Sequence, residues 1–355
     1  MKVFFVTPYP LRKGPNVRFR LECYLPYLKK AGIGYKIRPF TSDRFYQILY
    51  KRRYFFKKLF FTLWGYLARL WHFFESLNYD AICILREVSP FGPAVFPYLW
   101  RLFGKRVIYD FDDAIYLKNM SQVNRMVAFL KRPANTKTFI RLSQRVIAGN
   151  NHLARYARRY NSSVITIPTP IDTVHFAPVQ NEKREKVYIG WSGSWTTLPH
   201  FYLVKEELKE LTSRYPFIQV KVFGSHAAHI PGVSLEALDW DLESELEQLR
   251  RFDIGIMPLS DDEWSRGKCG FKLLMYMALG IPSVSSPIGV NAEIIRDGEN
   301  GFLASSGEEW IEKLSLLIAD PLLRQRIAAA GRRTVEEKYS VAKWGPEFVK
   351  ALQRG

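Results

Sequence analysis

The chain has 355 residues, 47% of them hydrophobic and 24% charged. These proportions exclude a disordered chain, and the length suits two domains of about 150–200 residues each. The formal net charge of +18 favours polyanions, phosphates or anionic membranes as partners.

The cysteines and the apolar runs indicate in which cellular compartment the protein is expected. The three cysteines, at positions 23, 83 and 269, form neither a disulfide framework nor a zinc-ligand spacing, which favours a reducing environment. The apolar run at the N-terminus is too short for a signal peptide, and no apolar run of about 18 residues occurs. The sequence therefore predicts a cytoplasmic protein without a membrane span.

The first half of the chain alternates strand and helix signals. A Val- and Phe-rich run, Lys2–Thr7, predicts a buried parallel strand. A loop that carries Gly14, Arg18 and Arg20 leads into a predicted helix over Leu21–Ala31. Further strands are predicted at Tyr35–Pro39, Ala81–Leu85, Arg106–Asp110, Arg145–Ala148 and Val164–Ile167.

A basic aromatic stretch, residues 44–74, contains seven Lys or Arg residues and no acidic residue. Large apolar residues recur through it at helical spacing: Phe56, Leu59, Phe60, Leu63, Leu67, Leu70, Trp71 and Phe74. With Arg52, Arg53, Lys57, Lys58 and Arg69 expected on the remaining surface, the pattern favours a helix at an anionic membrane interface. The alternatives are a core-facing helix with a solvated basic back, and RNA binding, for which no known motif is present.

The second half repeats the alternation after a polar stretch, Gln180–Lys186, which is predicted to be a linker. Strands are predicted at Val187–Trp191, Gln219–Phe223, Ile254–Leu259 and Pro282–Ser285. Helices are predicted at Phe201–Tyr215, Ser244–Phe252 and Phe271–Leu279, and a helical tail from Glu308 is expected to break at Pro321 and Gly331.

Two successive alternations predict an α/β protein with two doubly wound, Rossmann-like domains. The expected boundaries are 1–179 for the first domain and 187–340 for the second, with a terminal helix at 341–355 that packs back on the first. Ligands of such sheets bind beyond the carboxyl ends of the strands, so the expected site is a cleft across which the two domains face each other.

The clearest binding signal is a cationic loop that enters a predicted helix. Arg266, Gly267 and Lys268 precede the helix, and Lys272 lies near its first turn. Free backbone N–H groups, the positive end of the helix dipole and three cations together predict a diphosphate site. The alternative is a basic loop that only coincides with a helix start.

The segment from Trp264 to Gly301 resembles the C-terminal donor-binding region of glycosyltransferase family 4, a GT-B family. The matching residues are Ala278, Gly280, Pro282, Val284, Gly289, Glu293, Asp297, Gly298, Asn300 and Gly301. Ile167–Pro168 with Asp172 and Phe176 resembles the family's entry to its second domain. Pro8–Tyr9–Pro10 with Gly14 resembles its N-terminal glycine loop.

The chain also departs from the family pattern. The two family glutamates fall on Gly267 and Met275, and the usual Arg and Lys after the first strand of the second domain are replaced by residues 190–194, GWSGS. The chain therefore resembles a divergent branch in which a lysine-rich loop neutralises the diphosphate. The resemblance implies diphosphate contacts from Gly193, Ser194, Arg266, Lys268 and Lys272, and donor sugar or nucleotide contacts from Gly14, Gly289, Asn291 and Glu293.

The sequence Asp110-Phe111-Asp112-Asp113 lies at the end of a predicted strand. It contains the DxD pattern of GT-A enzymes, which bind manganese, but two Rossmann-like domains leave no place for a GT-A sheet, so no metal is expected. Asp112 or Asp113 is the candidate to orient the acceptor or act as a base. Alternatively, these carboxylates cap the following helix and pair with basic neighbours.

Four more charged residues follow predicted strands and are candidates for an anionic acceptor such as a lipid diphosphate: Arg18, Arg20, Arg86 and Glu87. The six histidines include no ligand-like pair and are expected to be solvated or structural.

These features together predict a metal-independent glycosyltransferase that needs no cofactor besides its nucleotide diphosphate sugar, and the resemblance to family 4 implies that it retains the configuration of the transferred sugar. Its acceptor is expected to be lipid-linked or a polysaccharide, and its location the inner face of an anionic membrane, with no nucleic acid partner. The alternatives are a nucleotide-sugar epimerase of GT-B type and a non-catalytic membrane- or nucleic-acid-binding protein on the same scaffold.

Overall fold

A computed structural model describes residues 1–49, 51, 53–117, 132–179 and 185–353. Arg52 of the basic aromatic stretch and residues 180–184 of the predicted linker lie outside the described residues. The chain forms two compact units, the first comprising Met1–Thr169 with Val341–Gly355 and the second Pro170–Ser340.

The first unit is built on a six-stranded parallel sheet. Its strands are β1 (Lys2–Thr7), β2 (Gly34–Pro39), β3 (Ala81–Leu85), β4 (Arg106–Phe111), β5 (Arg145–Ala148) and β6 (Val164–Thr166). Its described helices in this part of the chain are α1 (Pro15–Arg20), α2 (Leu25–Lys30), α3 (Asp43–Leu49), α4 (Phe55–Ser76), α5 (Val95–Leu102), α6 (Ala134–Leu142) and α7 (Asn151–Arg158).

The strand order of this sheet is β2-β1-β3-β4-β5-β6. The central strands are mostly apolar because helices cover both faces of a parallel sheet. Strand β3, for example, is buried at all five positions. The carboxyl ends of β1, β3 and β4 therefore meet at one edge, and polar residues that follow these strands are brought together there.

The second unit repeats this design. Its strands are β7 (Val187–Ser192), β8 (Ile218–Phe223), β9 (Leu235–Leu238), β10 (Ile254–Met257), β11 (Ser283–Ser285) and β12 (Phe302–Leu303). Its helices are α8 (Leu198–Phe201), α9 (Lys205–Arg214), α10 (Glu245–Arg250), α11 (Glu263–Arg266), α12 (Phe271–Ala278), α13 (Asn291–Ile294), α14 (Gly307–Ala319) and α15 (Pro321–Lys338). The strand order is β12-β11-β10-β7-β8-β9, and all the pairs are parallel.

Two glycines let helix α12 and its neighbours approach this sheet closely. A Cβ atom at Gly255 would lie 2.5 Å from the ring of Tyr276, and one at Gly190 would lie 1.9 Å from the ring of Phe252. Since real Cβ atoms do not come so near, α12 can cross strand β10 at this distance only because position 255 has no side chain.

The chain ends with helix α16 (Val341–Gln353), which belongs to the first unit. Its Phe348 ring stacks on Tyr24 with centroids 4.2 Å apart. Residues 170–179, assigned to the first domain from sequence, group with the second unit. The reason is local: Arg332 of α15 donates hydrogen bonds to the carbonyls of Thr173 and Phe176.

Three sequence-based expectations about helices are wrong. The segment with Arg18 and Arg20 is helix α1 rather than a loop, with Pro15 at its first position. The predicted helix at 21–31 divides into a 3₁₀ turn and α2. Gly331 does not end a helix: it lies inside α15, where a Cβ would come within 3.1 Å of the Asn300 carbonyl oxygen.

Helix α4 turns its apolar stripe outward. Phe56 is 81% exposed and Trp71 70% exposed, whereas Gly65, Phe73 and Arg69 on the opposite side are buried. A core-facing aromatic stripe is therefore contradicted, and so is a solvated Arg69. No helix among the described residues is both long and apolar enough to cross a membrane.

Candidate functional site

In the second unit, the predicted cationic loop enters helix α12 through a glycine that the fold requires. Gly270 has φ +67°, in the left-handed region, and a Cβ there would lie 2.6 Å from the Ile294 side chain. The loop is thus held against α13, and the first turn of α12 begins at Phe271. This fixes the place of Lys272 one residue later.

Lys272 lies at the end of strand β7. Its Nζ is 4.1 Å from the centroid of the Trp191 ring, a cation–π contact. A Cβ at Gly193 would be 2.4 Å from the same Nζ, so a larger residue at 193 would displace the ammonium group. Burial, and then the nearby Lys268 ammonium, hold the pKa of Lys272 well below its ordinary value. An anion bound beside Lys272 would stabilise its charged form and so offset the effects of burial and of Lys268.

His200 on α8 is a member of this cluster that the sequence did not identify. Burial, and then the charges of Lys268 and Lys272, lower its pKa to about 4. The imidazole is therefore neutral at physiological pH and can still donate one ring N–H. Because His200 lies 72 residues before Lys272 and has no motif around it, only the fold brings it to the lysines.

Tyr276 ties α12 to strand β7. Its hydroxyl accepts a hydrogen bond from the backbone N–H of Ser192 at 2.7 Å and lies 3.0 Å from the Ser192 Oγ. Tyr276 is one helical turn beyond Lys272, so both side chains reach the end of the same strand. The position of the Lys272 ammonium relative to β7 is therefore fixed by two contacts, that of Lys272 with Trp191 and that of Tyr276 with Ser192.

Arg266 differs from the two lysines. Its guanidinium is exposed and pairs with Asp261 at 2.8 Å and Glu263 at 3.4 Å. The backbone of Arg266, however, adjoins Gly289, where a Cβ would lie 2.9 Å from the Arg266 carbonyl oxygen. The structure thus joins the cationic loop to the 289–294 segment through the main chain.

The remaining residues of this unit that were predicted to contact the sugar donor differ in burial. Asn291 is fully buried, and its Oδ1 has no hydrogen-bond partner among the residues that the structure describes. Glu293 is exposed. Ser194 is exposed and its Oγ lies 2.7 Å from Thr196 Oγ1, beside Gly193. Ser194 thus lies in the turn that adjoins Lys272.

In the first unit, a buried ion pair lies at the end of strand β4. Arg20 donates to both carboxylate oxygens of Asp110, at 2.9 and 2.8 Å, and also to the Ile167 carbonyl. The Arg20 residue is only 1% exposed, so the residue predicted to contact the acceptor serves as a support for the strand edge. Burial outweighs the pairing with Arg20 and raises the pKa of Asp110.

Arg86 and Asp113 form a second, more open pair at the same edge, with Nη1 and Oδ2 2.7 Å apart. Arg86 has φ +63°, an uncommon conformation for a residue with a side chain. Its N–H donates to the Asp110 carbonyl, and its own carbonyl accepts from the Tyr109 hydroxyl. These bonds hold the strained backbone that aims Arg86 at Asp113.

Asp112 lies between these two ion pairs. Burial, and then the Asp113 charge, raise the pKa of Asp112 to about 6. A carboxyl with such a pKa is suited to accept a proton near neutral pH. Among the described residues, no three His, Cys, Asp or Glu side chains are grouped so that they could hold a metal ion.

The other residues predicted in the first unit lie around this edge. The Arg18 guanidinium carbon is 4.7 Å from the centroid of the Phe19 ring, and Glu87 follows Arg86 as a half-buried residue. Gly14 caps helix α1, where a Cβ would lie 2.6 Å from the Tyr9 ring. Chemically, this edge offers carboxylates and a guanidinium for a hydroxyl-bearing acceptor, and the second unit offers ammonium groups for a diphosphate.

Comparison with protein families gives a match in the second unit. Residues 206–320 match the family model described as "Glycosyl transferases group 1". No curated protein matches the sequence.

Solved structures match the chain along almost its whole length. HepE of Anabaena in complex with UDP is 13% identical with a TM-score of 0.70, and the match covers 99% of this chain and 100% of HepE. Sucrose-phosphate synthase of Thermosynechococcus elongatus is 13% identical with a TM-score of 0.72, covering 100% and 98%. The lipopolysaccharide outer core galactosyltransferase WaaB is 12% identical with a TM-score of 0.64, covering 99% of each chain.

These findings confirm two predictions. The fold is GT-B, with two Rossmann-like units, and the family match confirms that the chain is a glycosyltransferase. Membership of family 4, and of a divergent branch within it, stays a prediction.

Proposed function

We propose that this enzyme transfers a sugar from a UDP-sugar to a lipid-linked acceptor, or to a polysaccharide, at the inner anionic face of a membrane. The observation that carries the proposal is the ammonium of Lys272, held over Trp191 beside Gly193 with Lys268 and His200 nearby. HepE, which has the same fold, has also been solved in complex with UDP-glucose.

The lysine cluster supplies what the leaving nucleotide requires. Negative charge builds up on the diphosphate as the glycosidic bond breaks, and fixed cations in a poorly hydrated site stabilise that charge strongly. Lys272 and Lys268 would fill this role without a metal ion. The resemblance to family 4 further implies retention of configuration, with the leaving phosphate helping to deprotonate the acceptor.

The first unit supports the acceptor side of the proposal. Asp112 is the carboxyl best suited to orient or deprotonate an acceptor hydroxyl, because burial and the neighbouring Asp113 charge raise its pKa to about 6. An exposed apolar helix face in the same unit supports a lipid-linked rather than a free acceptor.

The test of the proposal combines binding and turnover. A thermal-shift series with UDP, GDP, ADP and dTDP should show stabilisation by UDP, because a ligand at 100 times its Kd stabilises the folded state by about 2.7 kcal/mol. Incubation with UDP-sugars and a membrane lipid extract should then yield a glycosylated lipid. Release of a free sugar that is the epimer of the donor sugar, without an acceptor, would instead identify an epimerase, and no response to any nucleotide would contradict the proposal.

Asp112 gives a prediction for the pH dependence of the reaction. If ionised Asp112 is required, kcat/KM should rise with pH through an acid limb near pH 6, because its raised pKa keeps the carboxyl protonated below that value. In an Asp113→Asn variant the limb should move to lower pH, since a like charge is lost and Arg86 is released. Transfer rates between pH 4.5 and 8 measure both, and a limb that stays in place in D113N would contradict the role of Asp112.

A further inference from the structure

The first unit carries a continuous exposed apolar surface, here called the apolar face. It consists of large side chains on α4 and on α5 with the residue after it: Phe55, Phe56, Leu59, Phe60, Leu63, Trp64, Leu67, Leu70, Trp71, Phe74, Val95, Tyr98, Leu102 and Phe103. The two helices meet at Phe73, whose ring contacts those of Phe74, Phe96 and Phe103. Leu102 is 79% exposed. A surface this apolar on a folded protein indicates an interaction site.

The side of α4 opposite the apolar face is fixed to the sheet. Gly65 lets the Phe40 ring approach, since a Cβ there would lie 2.7 Å from it. Arg69, fully buried, donates hydrogen bonds at 2.8 Å to three carbonyl oxygens, those of Thr7, Arg38 and Val88. Thr7 and Arg38 belong to β1 and β2, and Val88 follows β3. The helix therefore cannot turn its apolar face inward.

Positive charge borders the apolar face, and negative charge is missing from its two sequence segments. Residues 44–74 and 88–109 contain no Asp or Glu. Lys51, Arg53 and Lys57 lie exposed near the start of α4, and Arg101 lies exposed on α5. The cationic excess extends over the whole unit, which has 33 Lys and Arg against 9 Asp and Glu, a net charge of +24.

The second unit has the opposite balance. It contains 19 Lys and Arg against 25 Asp and Glu, a net charge of −6. The formal charge of +18 on the chain is thus located entirely in the unit that carries the apolar face.

We infer that the apolar face inserts into one leaflet of an anionic bilayer, with α4 lying in the plane of the membrane. The occupant is a bilayer rather than a second copy of the chain, because two copies joined here would bring two units of like charge together. Anionic headgroups match the bordering cations, and acyl chains match the Phe, Leu and Trp side chains. A helix of 22 residues extends over about 33 Å and offers this contact along its whole length.

Insertion of α4 would explain how the proposed enzyme reaches a lipid-linked acceptor. Only the identity of that acceptor rests on the proposed function. Arg69 ties the inserted helix to the carboxyl ends of β1 and β2 and to the loop after β3. The same sheet edge carries Arg86, Asp112 and Asp113. A lipid acceptor would therefore reach these residues from the leaflet into which α4 inserts.

The test measures vesicle binding of the full-length chain without any sugar donor or acceptor. Co-sedimentation with phosphatidylglycerol–phosphatidylcholine vesicles should show binding that persists in part at 0.5 M NaCl, because apolar insertion is not screened by salt. The triple variant Leu63→Ser, Leu67→Ser, Leu70→Ser should bind at least about tenfold more weakly. A matched control with three exposed leucines of the second unit, Leu203→Ser, Leu316→Ser, Leu322→Ser, should bind like the original chain.

Charge and insertion can be separated with a second variant. Lys51→Gln, Arg53→Gln, Lys57→Gln should weaken the preference for anionic over neutral vesicles but keep salt-resistant binding. Equal binding by the two leucine variants would overturn the inference. So would a dimer in light scattering that the 63/67/70 variant alone converts to a monomer, since a second copy would then cover the face. Vesicle binding without sugar transfer would leave the inference standing and count against the proposed function.

Discussion

A Lys272→Met variant should bind UDP about 30-fold to 1,000-fold more weakly than the original chain and lose transfer activity to a similar extent. Removing one partner of a buried charge contact costs about 2–4 kcal/mol, which corresponds to that range of affinity. Methionine keeps the length of the side chain and its packing on Trp191, so the change removes the charge with little loss of volume. Isothermal titration with UDP measures the effect directly.

The control for this experiment is Lys205→Met, because Lys205 is an exposed lysine of the same unit. It should leave UDP binding unchanged, and both variants should melt at similar temperatures. A Lys272→Met protein that is fully folded and binds UDP normally would remove the basis for the donor site. A Gly193→Ala variant should also weaken binding, since its Cβ would displace the ammonium group.

An Asp110→Ala variant should lower the free energy of unfolding of the first unit by about 3–5 kcal/mol, the cost of leaving a buried cation without its partner. Arg20 is 1% exposed and makes two of its three hydrogen bonds to this carboxylate. Urea denaturation followed by circular dichroism measures the change.

Two further variants show whether the effect comes from the unpaired charge. The double variant Arg20→Met, Asp110→Leu should recover much of the loss, because an apolar pair of similar volume avoids a buried charge. Glu210→Ala, which breaks the exposed Arg214–Glu210 pair, should cost less than about 1 kcal/mol. An Asp110→Ala protein as stable as Glu210→Ala would contradict the structural role assigned to the pair.

Much of the fold follows from local sequence signals. Short runs rich in apolar residues predict ten of the strands within a few residues, because a strand covered on both faces is mostly apolar. The missed strands, β9 and β12, are an edge strand containing Glu236 and a pair of residues, Phe302–Leu303. Neither is long enough or apolar enough to stand out from loops.

The orientation of side chains is harder to predict. Helical spacing predicted the apolar stripe of α4, and the basic excess favoured an exposed stripe at a membrane. A core-facing stripe stayed open as an alternative, since an apolar stripe ordinarily marks the buried side. Arg69 illustrates the difficulty, because a lone cation among aromatics looks solvated until three backbone carbonyls are seen to surround it. Arg20 and Asp110 likewise meet across 90 residues of chain.

The candidate donor site could be predicted in part. Lys272 was predicted because a basic loop with a glycine at a helix start suggests phosphate binding, whereas Gly193 was named only through the resemblance to family 4. Arg266 belonged to the same pattern, yet its guanidinium pairs with Asp261 and Glu263. The sequence shows that these acidic residues are nearby, but it does not show whether Arg266 pairs with them or with a ligand. His200 had no local signal at all.

The unequal charges of the two units have a consequence for how the chain meets a negatively charged surface. Such a surface attracts the first unit, at +24, and repels the second, at −6, so a torque acts on the molecule before any contact is made. Within a few Debye lengths of the lipid, this torque favours orientations in which the first unit is nearer the surface. Encounters in which the second unit meets the lipid first become rare. Because salt screens the charges, the fraction of encounters that lead to binding is expected to be higher at low ionic strength than at high.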